Sequence, residues 1–520
     1  MCGLCAAGIL AGGAGAGWAL DRTTPDAAPA PEALRQPTVL RSTDGSLDLR
    51  LEVTTGRTAV AGRNATLLRY NGDVPGPTLV LRPGDRLAIE LVNSCGRPTN
   101  LHTHGLAVSP QGHGDNPFVV VDPGHSFHYE YVIPVDQPEG TYWYHPHHHG
   151  MAAEQVFRGL YGAVVIQPMI SAGTRSAAAD PPTSERVLVI SDISIDDNGD
   201  VPDANALQRR IGREGDLLLV NGQRRPQLTT RPGARERWHL VNACVSRFLR
   251  LRLDGQRLDL IGIDLPLGAA REVQEIVLAP GNRADLMLTT RAGSSVLQAF
   301  PVTRVAAGMY FGAGVGGGGM GGGGMGGTGR GGTGMGGGGI DGGGMNGAGM
   351  GGGGSDAGGA PVDLAELVVD GPPDLTQWPN LPAMTVPDLR GEALTAHRTI
   401  TLAMGMEMQG PVGMSFTIDG HRFDPSRVDQ HVPAGAIEQW TIINTSEMDH
   451  PFHLHIWPMQ IVRVGDSAVS EPSWQNVVNV PARSSTIVLV RFGEVTGRTV
   501  YHCHILDHED AGMMGVVEVR

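Results

Sequence analysis

Nineteen histidines occur in the 520 residues, and ten of them fall into four tight clusters near the two ends of the chain. The clusters read His102-Thr-His104, His145-Pro-His147, His450-Pro-Phe-His453-Leu-His455 and His502-Cys503-His504-Ile-Leu-Asp-His508, the last followed by Met513. Imidazole is the commonest biological ligand for copper, zinc and nickel. A His-x-His pair on a strand places both rings on one face, roughly 6.6 Å apart along the backbone, where they can grip one metal or two adjacent ones. A single pair of this kind is weak evidence. Four clusters in one chain, two toward each end, are a metal signal.

The last cluster carries the most chemistry. On a strand, His502 and His504 point to one face and Cys503 to the other, so one strand serves two metal sites. A thiolate with two imidazoles and a methionine is the ligand set of a blue electron-transfer copper, and His450, His508 and Met513 can complete it around Cys503. On the opposite face, His502 and His504 join the remaining paired histidines, and the covalent path between the two sites is a short wire. Zinc is the competing metal. A thiolate with a thioether favours copper, and eight further histidines exceed what zinc requires. Hydrolytic chemistry has no motif: no Ser/His/Asp arrangement is evident, and the glycine run GMGGGGMGG lacks the Lys-Ser/Thr that closes a phosphate loop.

Elements able to position these residues recur three times. The strings NGDVPGPTLVLRPGDRLAIELVN (from Asn71 to Asn93), NGQRRPQLTTRPGARERWHLVN (from Asn221 to Asn242) and DGHRFDPSRVDQHVPAGAIEQWTIIN (from Asp419 to Asn444) share one plan. Each is a turn signal, a short run, a Pro/Gly turn and an alternating strand that ends in Asn. A second turn-and-strand follows each copy, beginning at Asp122, Ala279 and Val480. No long stretch has a helical hydrophobic period. The expected fold is therefore all-β, with three antiparallel Greek-key β-sandwiches at residues 37–168, 186–305 and 362–520. The length agrees, since about 100 to 200 residues per domain gives three domains.

Between the second and third sandwiches, Gly312 to Gly359 is almost all glycine with Met320, Met325, Met335, Met345 and Met350 spaced five or ten apart. Residues 306–361 are expected to form a flexible loop, because glycine at this density cannot repay its ordering entropy. Its thioethers either collect Cu(I) or are low-complexity drift. Residues 1–36 are expected to be an export-signal-like segment and linker, the first twenty being uncharged and rich in small apolar residues. At under twenty residues, with many glycines, that stretch makes a poor membrane span. Cys2 and Cys5 lack a lipid-anchor context, and Cys95 and Cys244, after VNS and VNA, read as small buried thiols. With 53 acidic against 39 basic residues there is no basic field for nucleic acid or anionic lipid.

The motifs HTHG, WYHPHHHG, HPFHLH and HCHILDHEDAGMM give the sequence a resemblance, over about residues 60 to 520, to the three-domain multicopper oxidases, the group of bacterial laccases, bilirubin oxidase and copper-efflux oxidases. The resemblance implies cupredoxin-like sandwiches and four copper ions: one type 1, one type 2 and two type 3. It implies type 1 ligands His450, Cys503, His508 and axial Met513, and type 2 ligands His102 and His453. The type 3 pair falls to His104, His145, His147, His455, His502 and His504, and the second sandwich supplies no ligand. Thr103 stands where the family commonly has Trp. His148 and His149 are left as supporting or surface groups. Reduction of O2 also needs a proton relay, for which Glu509 and Asp115 are the candidates near the last and first motifs.

The activity implied is one-electron oxidation of a reducing substrate coupled to four-electron reduction of O2 to water. The partners are O2 and a small reductant or metal ion, with no nucleic acid and no membrane span. An exported monomer is expected. Met404, Met406, Met408 and Met414, with Met459 and Met514 near the ligand motifs, point to Cu(I) as reductant. The alternative for them is core packing. Laccase-type oxidation of phenols is the second reading and a non-enzymatic copper-binding protein the third. A two-domain nitrite reductase does not fit three repeats and a complete His-Cys-His cluster.

Overall fold

The structure, a computed structural model, describes residues 32–168, 184–305, 359–376, 383–407 and 413–520. The export-like stretch, the Gly/Met-rich run and Met408 lie outside the described residues. Among those described, strands form six sheets and only three short helices occur: α1 (Ala152–Phe157), α2 (Ala206–Ile211) and α3 (Leu506–Asp510). The sheets face each other in pairs of five and four, six and five, and seven and five strands, giving the three expected all-β sandwiches. Each has its own core, around Leu51, Ile89 and Tyr129 in the first, Trp238 and Leu288 in the second, and Trp440, Phe452 and Tyr501 in the third. No helix of the described residues is long and apolar enough to cross a membrane.

The three repeats have a common physical cause. Asn71 and Gly72, Asn221 and Gly222, and Asp419 and Gly420 all hold positive φ, between 51° and 86°. That is the type I′ hairpin turn, which Asn-Gly and Asp-Gly adopt at low steric cost. The Asn that ends each alternating strand is a buried staple. Asn93 Nδ2 donates to Arg97 O and Val121 O at 2.6 and 2.7 Å, Asn242 to Arg247 O and Leu278 O at 2.9 and 3.0 Å, and Asn444 to Met448 O and Val480 O at 2.8 and 3.0 Å. Each Oδ1 accepts the N–H two residues on, at Cys95, Cys244 and Ser446. Cys95 and Cys244 thus sit at equivalent turns as free thiols, the first half-buried and the second buried.

Three expectations change. The sandwiches are mixed rather than antiparallel: Ser46–Val60 runs parallel to Arg86–Ser94, as Ser184–Ile193 does to Arg235–Asn242 and Ala396–Met406 to Ile437–Asn444. Alternation identifies a strand but not the direction of its partner. The boundary at 362 also moves, because Val362–Val369 pairs with Gly293–Phe300 and Gln227–Thr230 and so closes a sheet of the second sandwich. At the other end, the expected linker before residue 37 docks on that same sandwich, with Leu34 N–H donating to Gln227 O at 2.8 Å.

Asn444→Ala would leave the Ser446 N–H without its acceptor and remove the amide donor from Val480 O and Pro481 O just before His450, while Met448 O keeps Ser446 Oγ. At about 1 to 3 kcal/mol for each orphaned group, the loss should be roughly 2 to 5 kcal/mol in a urea unfolding curve. A loss below about 1 kcal/mol would show that the staple is dispensable.

Candidate metal centres

Register brings the clusters together. The strand Gly497–Cys503 lies between Met514–Val519 and His450–Leu454, with Cys503 opposite Phe452 and His502 opposite His453. Directly opposed residues share a face, so Cys503 looks into the third core and His502 with His453 toward the first sandwich. There His102 stands opposite His145 and His104 opposite Trp143.

On the core side, His450 Nδ1 and His508 Nδ1 lie 3.3 and 3.8 Å from Cys503 Sγ and 3.3 Å from each other. His508 Nε2 donates to Arg210 O of α2 at 3.0 Å, which leaves its Nδ1 lone pair aimed at the sulfur. His450 Nε2 is held by Ser446 Oγ at 2.8 Å. The Ile505 N–H points at Sγ from 3.4 Å and Phe416 stacks on His508 at 4.5 Å. Met513 is fully buried in the same core cluster as Cys503, and its carbonyl accepts the Cys503 N–H at 3.1 Å. Burial pushes the thiol pKa far up and lowers that of His450 to about 3.

The other eight histidines form one buried centre between the first and third sandwiches. Nε2 atoms of His147, His455 and His502 face one another at 3.1, 3.2 and 3.2 Å. His102 belongs to two further close trios, one with His104 and His145 and one with His453 and His455. His504 stands 5.0 Å from His104 and 5.7 Å from His145, ring to ring. Acceptors on the outer side fix several tautomers: Asp115 Oδ2 on His102 Nδ1 at 2.8 Å, Pro146 O on His145 Nδ1 at 2.9 Å, Asn476 O on His453 Nδ1 at 2.7 Å and Cys503 O on His502 Nδ1 at 3.1 Å. Each therefore turns its Nε2 lone pair inward. The Nε2 atoms of His102, His104, His145, His453 and His504 are buried with no partner at all. Orphaned acceptors on this scale cost free energy that bound cations would return, and desolvation keeps the rings neutral, with His145 lowered to about 4.

The two acids expected to serve as a relay are both at this centre. Asp115 is buried, its pKa raised to about 7 by desolvation, and its second oxygen accepts the Thr103 N–H at 2.9 Å. Glu509 on α3 approaches His147 Nε2 at 3.5 Å and His502 Nδ1 at 3.1 Å, and burial raises its pKa well above the ordinary carboxylate range. His148 is half-buried and His149 exposed. Sequence reasoning missed what the second sandwich contributes. Arg283, Asp264 and Asn282 reach toward the centre from a region with no histidine motif, and among them only the unexceptional string PGNRADL marked the place. Trp143, stacked on His145 at 4.2 Å, was legible only as part of WYHPH.

Comparison with known proteins agrees with this donor chemistry. Family models described as multicopper oxidase match residues 52–170, 184–300 and 396–520. The multicopper oxidase mco of Staphylococcus aureus is 25% identical over 467 residues, covering 88% of this chain and 85% of its own length. The laccase of Bacillus subtilis (strain 168) is 24% identical over 520 residues, covering 86% of this chain and 89% of its own. Among solved structures, a multicopper oxidase from Campylobacter jejuni described as a metallo-oxidase superposes with a TM-score of 0.75 at 27% identity, over 94% of this chain and 96% of that one. The McoA multicopper oxidase of Aquifex aeolicus shares the fold with a TM-score of 0.71 at 24% identity, over 94% of this chain and 100% of that one.

The acid-base state of the thiolate site gives a test. With its pKa raised, Cys503 is protonated at pH 7 and must lose its proton to bind copper, whereas the neutral histidines have none to lose. Copper loading at pH 7 should release one proton more from the wild type than from Cys503→Ser, measured by titration calorimetry in buffers of different ionisation enthalpy. The variant should also lack the intense blue absorption. Equal proton release would mean that the thiol is not the ligand.

Proposed function

The chain belongs to the multicopper oxidase family of oxidoreductases, and from that premise we propose that it takes single electrons from a small soft reductant, Cu(I) foremost, and passes them to O2, which is reduced to water. We assign His450, Cys503, His508 and Met513 to the type 1 copper, His102 and His453 to the type 2 copper, and His104, His145, His147, His455, His502 and His504 to the type 3 pair. Bound copper supplies the one-electron chemistry at the thiolate site and the oxygen chemistry at the eight-histidine centre. The protein's part is to hold these donors neutral and aimed inward, and to join the two sites through the single peptide on either side of Cys503.

The observation that carries the choice of reductant is a methionine row leading to His508. In the hairpin of Ala396–Met406 and Met414–Ile418, Met406 stands opposite Met414 and Met404 opposite Phe416, so all four share a face. Met406 is 91% exposed, Met404 half-buried and Met414 buried. Phe416, the next member of the row, is the ring stacked on His508. Soft thioethers therefore run from solvent to the rim of the thiolate site, a ligand type that selects Cu(I). Met414 and Met404 also pack on the third core, while Met459 and Met514 are buried packing residues outside the row. The metallo-oxidase description of the Campylobacter jejuni relative supports the same reading.

Laccase-type oxidation of phenols is the second reading, supported by relatives that bear that name. Against it, the His508 ring is fully buried and its Nε2 is already engaged by Arg210 O, so a phenol has no polar edge of that ligand to meet. Binding of copper without turnover is the third. Protons for the reaction are assigned to Glu509 and Asp115, whose raised pKa values let them carry a proton near neutral pH beside the histidines. An exported location, periplasmic, cell-surface or secreted, rests on the composition of the first twenty residues.

O2 uptake by the copper-loaded protein with Cu(I), Fe(II), Mn(II) and a phenol separates the readings. Cu(I) should be the best substrate, and the near-isosteric triple change Met404→Leu, Met406→Leu and Met414→Leu should raise its KM about tenfold, equivalent to about 1.4 kcal/mol, without changing phenol turnover. Faster turnover of phenol, or an unaltered KM, would overturn the choice of reductant, and copper binding without O2 uptake would overturn the enzyme. Glu509→Gln, with the blue absorption retained, should slow O2 consumption about a hundredfold.

A further inference from the structure

We propose that the buried Arg283–Asp264 pair of the second sandwich is a positioning device for the eight-histidine copper centre, orienting His453 through Asn476 and setting a hydrogen-bond donor beside His104. The inference rests on the reading that copper occupies that centre, and it gives a task to the sandwich that carries no ligand.

Asp264 sits at the corner between the strands Arg257–Ile263 and Leu265–Val273 with φ at 62°, the left-handed region a residue with a side chain seldom occupies. Its carboxylate is fully buried, accepts four hydrogen bonds and is ion-paired with the Arg283 side chain at 2.9 Å. Two of the bonds come from its own sandwich, from Arg283 N and Asn282 Nδ2, each at 2.9 Å. Two come from the third, from Asn476 N at 2.8 Å and Val477 N at 3.0 Å. Arg283 is equally enclosed and touches all three sandwiches. Its Nε donates to Thr141 O at 3.1 Å and one terminal nitrogen to Asn476 Oδ1 at 2.8 Å, while the other, paired with Asp264, stands 3.5 Å from His104 Nδ1.

Asn476 is the relay in this arrangement. Asp264 takes both its N–H and the Val477 N–H that shares a peptide plane with its carbonyl, and Arg283 takes its side-chain oxygen, so that carbonyl has one orientation and accepts the His453 Nδ1–H at 2.7 Å. The ligand's tautomer and ring plane are thus set from the second sandwich. The same turn makes a further close approach: at Gly281, with φ at 87°, any Cβ would lie 2.7 Å from the His504 ring. Holding two sandwiches together does not by itself call for a buried ion pair, since well-packed apolar residues do so at no desolvation cost. What an apolar pair cannot supply is a directed acceptor for the Asn476 and Val477 N–H groups and a donor nitrogen near His104 Nδ1. Partners of this kind typically carry 10- to 100-fold in metal affinity.

The test compares Arg283→Gln, Asp264→Asn and the apolar double change Arg283→Met with Asp264→Leu against the wild type. The readouts are copper content, blue absorption, the type 2 EPR signal, the near-ultraviolet type 3 band and thermal unfolding. Each single variant should keep its blue absorption, hold type 2 and type 3 copper roughly 10- to 100-fold more weakly, and show an altered type 2 EPR signal. The double variant should recover thermal stability without recovering those signals. Native type 2 and type 3 signals in a folded single variant, or their recovery in the double variant, would reduce the pair to a joint between sandwiches and overturn this proposal alone. A wild type with neither signal would instead overturn the copper reading of the eight histidines, and this proposal with it.

Discussion

A single turn of helix near the C-terminus, Leu506–Asp510, is the constraint on which the assembly depends. Four successive side chains reach four different places. Asp507 holds the second sandwich through a buried pair with Arg213 at 2.6 Å. His508 faces Cys503 and also donates to Arg210 O, the C-terminal part of α2. Glu509 reaches His147 and His502 in the eight-histidine centre. Asp510 accepts the Ala152 and Ala153 N–H groups at 3.1 and 2.8 Å and so caps α1 of the first sandwich, whose own N-cap residue, Met151, offers no side-chain bond. A carboxylate at a helix N-terminus is favoured by the free N–H groups and the dipole there. Because a five-residue turn moves as a unit, neither metal centre can shift without disturbing the contacts among all three sandwiches.

Much of this could be read from residue order, and what could not has a physical reason. The histidine clusters were visible because ligand pairs on strands obey a local period of two. Asn93, Asn242 and Asn444 were visible as a repeat because one hydrogen-bonding task recurs at the same step of each sandwich. Strand direction was not visible. Ser46–Val60 has the same alternation whether its neighbour Arg86–Ser94 runs with it or against it, and a parallel pair requires a crossover that leaves no local mark. Val362–Val369 was misplaced for a related reason: its partners, Gln227–Thr230 and Gly293–Phe300, lie on the far side of the Gly/Met-rich run. Arg283 and Asp264 were hidden because their significance is wholly three-dimensional. An arginine in an alternating strand reads as a solvated residue, and nothing in its neighbours says that its side chain has no exposure.

Burial explains the chemistry of the centre better than any one distance does. Eight neutral imidazoles bring no negative charge, so bound cations must be balanced by something else within the enclosed space. The groups at hand are Asp115 and Glu509, and desolvation raises both so that neither is a fixed anion. Under the proton-carrying role proposed for them, their charge would follow that of the centre. A fixed carboxylate would hold the oxidised state too firmly for that exchange. Arg283 adds little to that balance, since its charge is paired with Asp264; its part is to hold Asn476 and stand beside His104. Under the proposed function, the acids that hold His102 in place and reach His147 and His502 are placed to move protons as electrons arrive, and the second sandwich orients the ligands beside them.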